Sequence, residues 1–149
     1  APEGSSPGFL VEAMRDPNGA ILDRIQIVKG WLDTNGDAQE AVYDVVWSNP
    51  ETRTLDAEGK LASVGSTVDE KEATYSNAIG AGSLRGYWQD PTFDQGQSAF
   101  YYVRVMEIPT PRWLAYDRKN YDLYDEMPED VRYSSQERAY SSPIWYSPR

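Results

Sequence analysis

Neither cysteine nor histidine occurs in the 149 residues. Without cysteine there can be no disulfide, thiolate zinc site or cysteine nucleophile. Without histidine the commonest metal ligand and the usual general base at neutral pH are missing. A Ser-His-Asp or Cys-His site therefore cannot be assembled from this chain. No apolar run approaches the roughly 18 residues of a membrane span. Positive charge is scarce too: 14 Lys and Arg against 24 Asp and Glu leave a net charge of −10. Such a surface repels phosphate backbones, so nucleic acid is not an expected partner. Aliphatic side chains are few, with 10 Val, 6 Ile and 8 Leu.

What is present instead is aromatic: 5 Trp and 11 Tyr. These rings bury large areas but want a polar partner for N–H or O–H, so the expected core is aromatic and partly hydrogen-bonded. The length suits one domain. The opening "APEGSSPG", residues 1–8, reads as a linker, which leads us to expect a piece of something longer. Residues 9–106 are expected to form a β-sandwich-like domain. "FLVEAM" is a short strand, "DPNG" a turn, and "ILDRIQIVKGW" and "EAVYDVVWS" strands with partial alternation. A three-residue Thr34-Asn35-Gly36 loop between the last two places Ile27 opposite Tyr43 and Ile25 opposite Val45, so that the apolar faces coincide. "EATYSNAI" and "SLRGYWQD" read as further strands after a polar excursion over 49–71, which allows a helical turn near 68–72. "SAFYYVRVMEI" is the clearest strand, apolar on both faces and therefore central.

From residue 107 to 149 the chain becomes a Pro/Tyr-rich tail, expected to be irregular and to pack on this sheet or on a domain upstream. Pro109 and Pro111 interrupt ladder bonding. "SSQE" fits a capping box for a very short helix, and "SPIWY" a last strand.

Several stretches invite chemistry. Asp33, Asn35 and Asp37 sit at alternate positions like the first ligands of a calcium loop. But Ala38 stands where Gly is needed and Asp44 where Glu is needed, so the plain hairpin is the better reading. The glycines of "GAGSLRG" do not fit a phosphate-binding fingerprint. "DLYDEMPED" holds five carboxylates, more simply a solvated face than a glycosidase pair. Arg112 in "PTPRW" and Arg138 in "QERAY" each stand beside an aromatic residue, an arrangement that can clamp a carboxylate or phosphate but more often pairs with a nearby acid.

"LDRIQIVKGWLD", "VYDVVWS", "AFYYVRVMEIPTPRWLAYD" and "QERAYSSPIWYSP" closely resemble the C-terminal part of bacterial proteins of the domain-of-unknown-function 3604 family. The resemblance runs from about residue 9 to the end. It implies a longer protein related to the PHP class of metal-dependent hydrolases, many members of which carry export signals, hence a periplasmic or secreted location. Divalent metal would be bound by an upstream domain of the same protein, and no catalytic or metal-binding residue carries over onto this chain. Arg112, Trp113, Tyr116 and Arg138 are the residues expected to face that domain. The expectation is thus a mainly antiparallel β-sandwich-like accessory region of a hydrolase of uncharacterised substrate. The alternative is a stand-alone carbohydrate- or peptide-binding module.

Overall fold

Strand β2 (Leu22–Leu32) is buried at nine successive positions, which happens only when both faces of a sheet are covered. Its edges are covered by its neighbours in the sheet, its inner face by a second sheet and its outer face in part by residues 61 and 62. β2 pairs antiparallel with β3 (Ala38–Trp47) on one side and with β5 (Ala99–Pro111) on the other. The far edge of β5 carries two short strands, β6 (Ser134–Tyr140) and β7 (Ile144–Tyr146). A second, two-stranded antiparallel sheet of β1 (Gly8–Met14) and β4 (Ser83–Gln89) lies across the inner face. The computed structural model describes residues 5–126 and 130–148, so residues 1–4 of the linker and Glu129 of the acidic run lie outside the described residues. The chain is mainly β, antiparallel throughout, and sandwich-like. Among the described residues no helix is long and apolar enough to cross a membrane.

Alternation fills the space between the sheets. Ile25 and Ile27 of β2 and Tyr101 of β5 meet Val11 of β1 and Leu84 of β4, with Phe9 and Trp88 packed around them. The rings do what the scarce aliphatics cannot: Phe9 lies 5.0 Å from Tyr101, and Trp88 lies 4.8 Å from Tyr43, centroid to centroid.

The β2–β3 turn has the expected three-residue form. Asp33 donates its backbone N–H to the Asp37 carbonyl at 2.9 Å, and Gly36 takes φ 86°, a left-handed conformation open to glycine without strain. Ile27 stands opposite Tyr43. Further along, the expected pairing of Ile25 with Val45 is corrected: Ile25 faces Val46, because a bulge interrupts the ladder between Ile25 and Gln26. The extra residue lets Val45 and Val46 both pack against the inner core.

Two further local readings are overturned. "EATYSNAI" is not a strand: residues 70–73 form a turn closed by the Asp69–Thr74 bridge, and Ala73 has φ 50°. The segment after it packs through Tyr75 and Ile79 onto Ile21 and Ile108, while the Asn77 carboxamide oxygen accepts the Ile21 N–H. "SSQE" starts β6 rather than a helix, since Ser134, Ser135 and Gln136 pair with Pro111, Thr110 and Pro109. The ladder from β5 to β6 shifts register between Met106 and Pro109, and both prolines lie beyond the shift, opposite Gln136 and Ser134. The helix of this region is α1 (Trp113–Asn120), which buries only Ala115 and has no side-chain cap.

Candidate functional site

Inward alternation on β2 and β5 fixes what points outward: Arg24 and Gln26 on β2, Arg104 and Met106 on β5. The register sets Gln26 beside Arg104 and Arg24 beside Met106, with Arg138 of β6 on the other side of Met106. These residues, with Gln136 and with Lys60 and Leu61 of the excursion, line a cleft of about 310 Å³.

The floor of the cleft is an ion-pair lattice. Arg24 is nearly buried; its Nε donates to Asp23 Oδ2 at 3.0 Å, and its Nη1 lies 3.3 Å from Asp44. Arg53, reaching in from the excursion, donates through Nη2 to Asp23 Oδ1 at 2.7 Å and to the Ala62 carbonyl at 2.8 Å. Gln136 Nε2 donates to Asp23 Oδ2 at 3.0 Å. Asp44 accepts from Gln26 Nε2 at 2.8 Å, and the Gln26 oxygen accepts from Arg104 Nε at 2.7 Å. Gln26 is thereby fixed in one amide orientation, which in turn aims Arg104. Two carboxylates are consumed by two buried guanidiniums. Among the described residues, Arg104, Arg138 and Lys60 then have no carboxylate within ion-pair distance. A chain of net charge −10 gathers three uncompensated cations around one opening.

An aromatic shelf continues the same face. Tyr140 pairs with Arg104 across the strands, and its ring lies 6.1 Å from that of Tyr102. Tyr102 and Phe100 are stacked with planes 9° apart, and Trp145 of β7 lies 5.2 Å from Phe100. Gly30 makes the shelf possible, because any Cβ there would collide with the Phe100 ring lying over it. Tyr140 is 56% and Trp145 72% exposed.

The family model described as "Protein of unknown function (DUF3604)" matches residues 1–148. The chain belongs to the DUF3604 family. No curated protein and no solved structure matches it.

Among the residues singled out from sequence, this DUF3604 chain separates one from three. Arg138 lines the cleft. Arg112 is the N-cap residue of α1, and Trp113 and Tyr116 stand exposed on that helix. The helix is held by Arg118, whose guanidinium lies 3.7 Å from the Tyr133 ring centroid, and by Lys119, which donates to the Glu72 carbonyl. In the turn, the Asp33 carboxylate accepts the N–H groups of Asn35 and Asp37 and the Gln39 amide. The two backbone bonds are the leading reason its pKa lies below the usual carboxylate range. Arg24, Gln26, Lys60, Arg104 and Gln136 were not anticipated. A hint was available in "YYVRVME" and "LDRIQIV", where a polar or charged residue interrupts the outward positions of strands expected to be central.

A second charged group lies between the sheets. Lys29 Nζ is 2.7 Å from Asp90 Oδ2 and donates to the Thr92 carbonyl at 2.8 Å, while Tyr101 Oη donates to the same carboxylate at 2.7 Å. Burial pushes the Asp90 pKa up, but bonds from Lys29, Tyr101 and the Thr92 N–H, with the Lys29 charge, bring it below the usual carboxylate range. Burial and Asp90 push the Tyr101 phenol above its ordinary value. Each polar atom is answered within the group, which marks it as structural.

Glu107 differs. Burial chiefly, with Glu137 and Asp16 adding to it, raises its pKa. An acid with a raised folded pKa favours the fold below that pKa and opposes it above. Glu107→Gln is therefore expected to raise the melting temperature at pH 7, with the gain shrinking toward pH 4. Equal shifts at both pH values in a calorimetric scan would contradict this.

Proposed function

We propose that this chain is an accessory region of a larger, exported metal-dependent hydrolase, related to the PHP class, and that it contacts the catalytic domain rather than completing the chemistry. The location proposed is periplasmic or secreted. The described residues do not suit the divalent metal that such a hydrolase needs, for they offer no group of three or more carboxylates able to hold an ion. The two buried carboxylates, Asp23 and Asp90, are tied up in ion pairs. The observation that supports an accessory role is α1. Trp113 is 65% and Tyr116 43% exposed, on an eight-residue helix that buries one alanine. Aromatic area of that kind, beside Arg112, suits an interdomain contact.

In the full-length protein, combined replacement of Arg112, Trp113 and Tyr116 by alanine is expected to lower the melting temperature and the metal-dependent hydrolytic rate several-fold. The same replacement in the 149-residue chain alone should leave its melt within about 0.5 kcal/mol of the parent, as for surface sites without special contacts. Unchanged activity and stability of the full-length variant would refute the docking role.

A further inference from the structure

We propose that the outer face of the large sheet binds an acidic carbohydrate, with the cleft taking its anionic group and the aromatic shelf taking its sugar ring. This inference is independent of the interdomain role of α1, which lies at the far end of β5 from the shelf.

The cleft supplies the anion subsite. Arg104 and Arg138 flank Met106 on neighbouring strands, and Lys60 lines the same cleft. Guanidinium forks match the paired oxygens of a carboxylate, sulfate or phosphate. Arg104 is preset by its bond to Gln26, so less is lost in ordering it when an anion arrives. None of these three cations pairs with a carboxylate among the described residues. The carboxylates beneath are already satisfied by Arg24 and Arg53, and unpaired like charges crowded together repel. An anion that relieves this repulsion gains more here than at an isolated surface arginine.

The shelf supplies the ring. A pyranose presents one face of C–H groups and a rim of hydroxyls, which suits exposed Tyr and Trp, apolar in the ring and polar at the tip. Tyr140 is directly opposite Arg104, so a ring lying on Tyr140 carries its acidic substituent to the cleft without a linker. The stacked Phe100–Tyr102 pair and Trp145 extend the shelf for neighbouring units. A long polyanion such as nucleic acid is disfavoured by the charge of −10. A short acidic oligosaccharide meets the local field of the cleft instead.

The test is isothermal titration of the 149-residue chain with trigalacturonate, its fully methyl-esterified form, a sulfated galactose disaccharide, inorganic sulfate and triglutamate. We expect binding of the uronate or of the sulfated sugar; whichever is tighter names the anion. Affinity should fall with added salt, and the methyl ester, inorganic sulfate and triglutamate should each bind at least ten-fold more weakly. Arg138→Ala and Tyr140→Ala should each lower affinity about ten-fold, a typical loss for one charge-assisted contact or one stacked ring. Arg85→Ala, on the other sheet and equal in charge removed, should leave it unchanged. Melting curves confirm that the variants fold. Equal binding of the methyl ester would overturn the anion subsite. Equal binding of inorganic sulfate or triglutamate would overturn the sugar shelf. No binding of either acidic sugar, or full affinity in both Arg138→Ala and Tyr140→Ala, would overturn the site.

Discussion

Lys29→Met is expected to cost about 3–5 kcal/mol at pH 7, the usual penalty for removing one partner of a buried pair. Methionine fills nearly the same volume, so the loss is not a cavity effect. What it leaves behind is Asp90, whose side chain is 0% exposed, without its ammonium. Tyr101 and the Thr92 N–H still donate to that carboxylate, but neither carries charge. The pH dependence separates this account from a general loosening of the core. In the parent protein Asp90 has a lowered pKa. Its contribution is therefore present above the unfolded carboxylate value of about 3.9 and lost as pH falls through the folded value. In the variant the buried acid prefers its proton, so the folded pKa rises above the unfolded one and acidification recovers stability. Urea melts at pH 7 and pH 4.5 should show the gap between parent and variant narrowing by at least half. A constant gap would mean that Lys29 acts through packing alone.

Arg53→Met should cost about 2–4 kcal/mol. That is less than Lys29→Met because Asp23 keeps Arg24 and Gln136. The effect should be local as well as global. Arg53 ties the excursion to the sheet: it donates to Ser48, Asp23 and the Ala62 carbonyl, and its own carbonyl accepts the Trp47 indole N–H at 2.7 Å. Amide hydrogen exchange should accelerate across residues 49–65 well before the strands are affected. Arg53→Lys is expected to recover less than half of the loss, since a single ammonium cannot span Asp23, Ser48 and Ala62 at once. If exchange over 49–65 stayed as slow as in the parent, the excursion would have to be held by something other than Arg53.

Sequence order revealed what depends on short-range periodicity. The β2–β3 hairpin was legible because a three-residue loop ending at Gly36 and the apolar faces agreed on one register, and β5 because its alternation is long. The bulge at Ile25 was not legible, since it depends on Asp44 being drawn toward Arg24 and Gln26, a contact across strands. Helix α1 left no pattern, burying one alanine and leaning on Glu70, Glu72 and Tyr133 from elsewhere. "SSQE" carried a helix signal that the open edge of β5 overrode. The cleft was the least legible part. Arg138 drew notice for its aromatic neighbour, but Arg24, Arg104 and Lys60 lie far apart in the chain, and only the pairing of β2, β5 and β6 brings them to one opening. That four arginines divide into two that serve the fold and two left over is visible only once the carboxylates are assigned.

The two strands that share the far edge of β5 set an order for folding. Between them, Val103 exchanges bonds with Ser141, through backbone and hydroxyl, so residues 134–146 form one cover in two pieces. Until those residues dock, β5 is paired with β2 on one side and open along the other. That is the form of strand most apt to pair with a neighbouring chain. The net charge of −10 works against that approach by making copies of the chain repel one another.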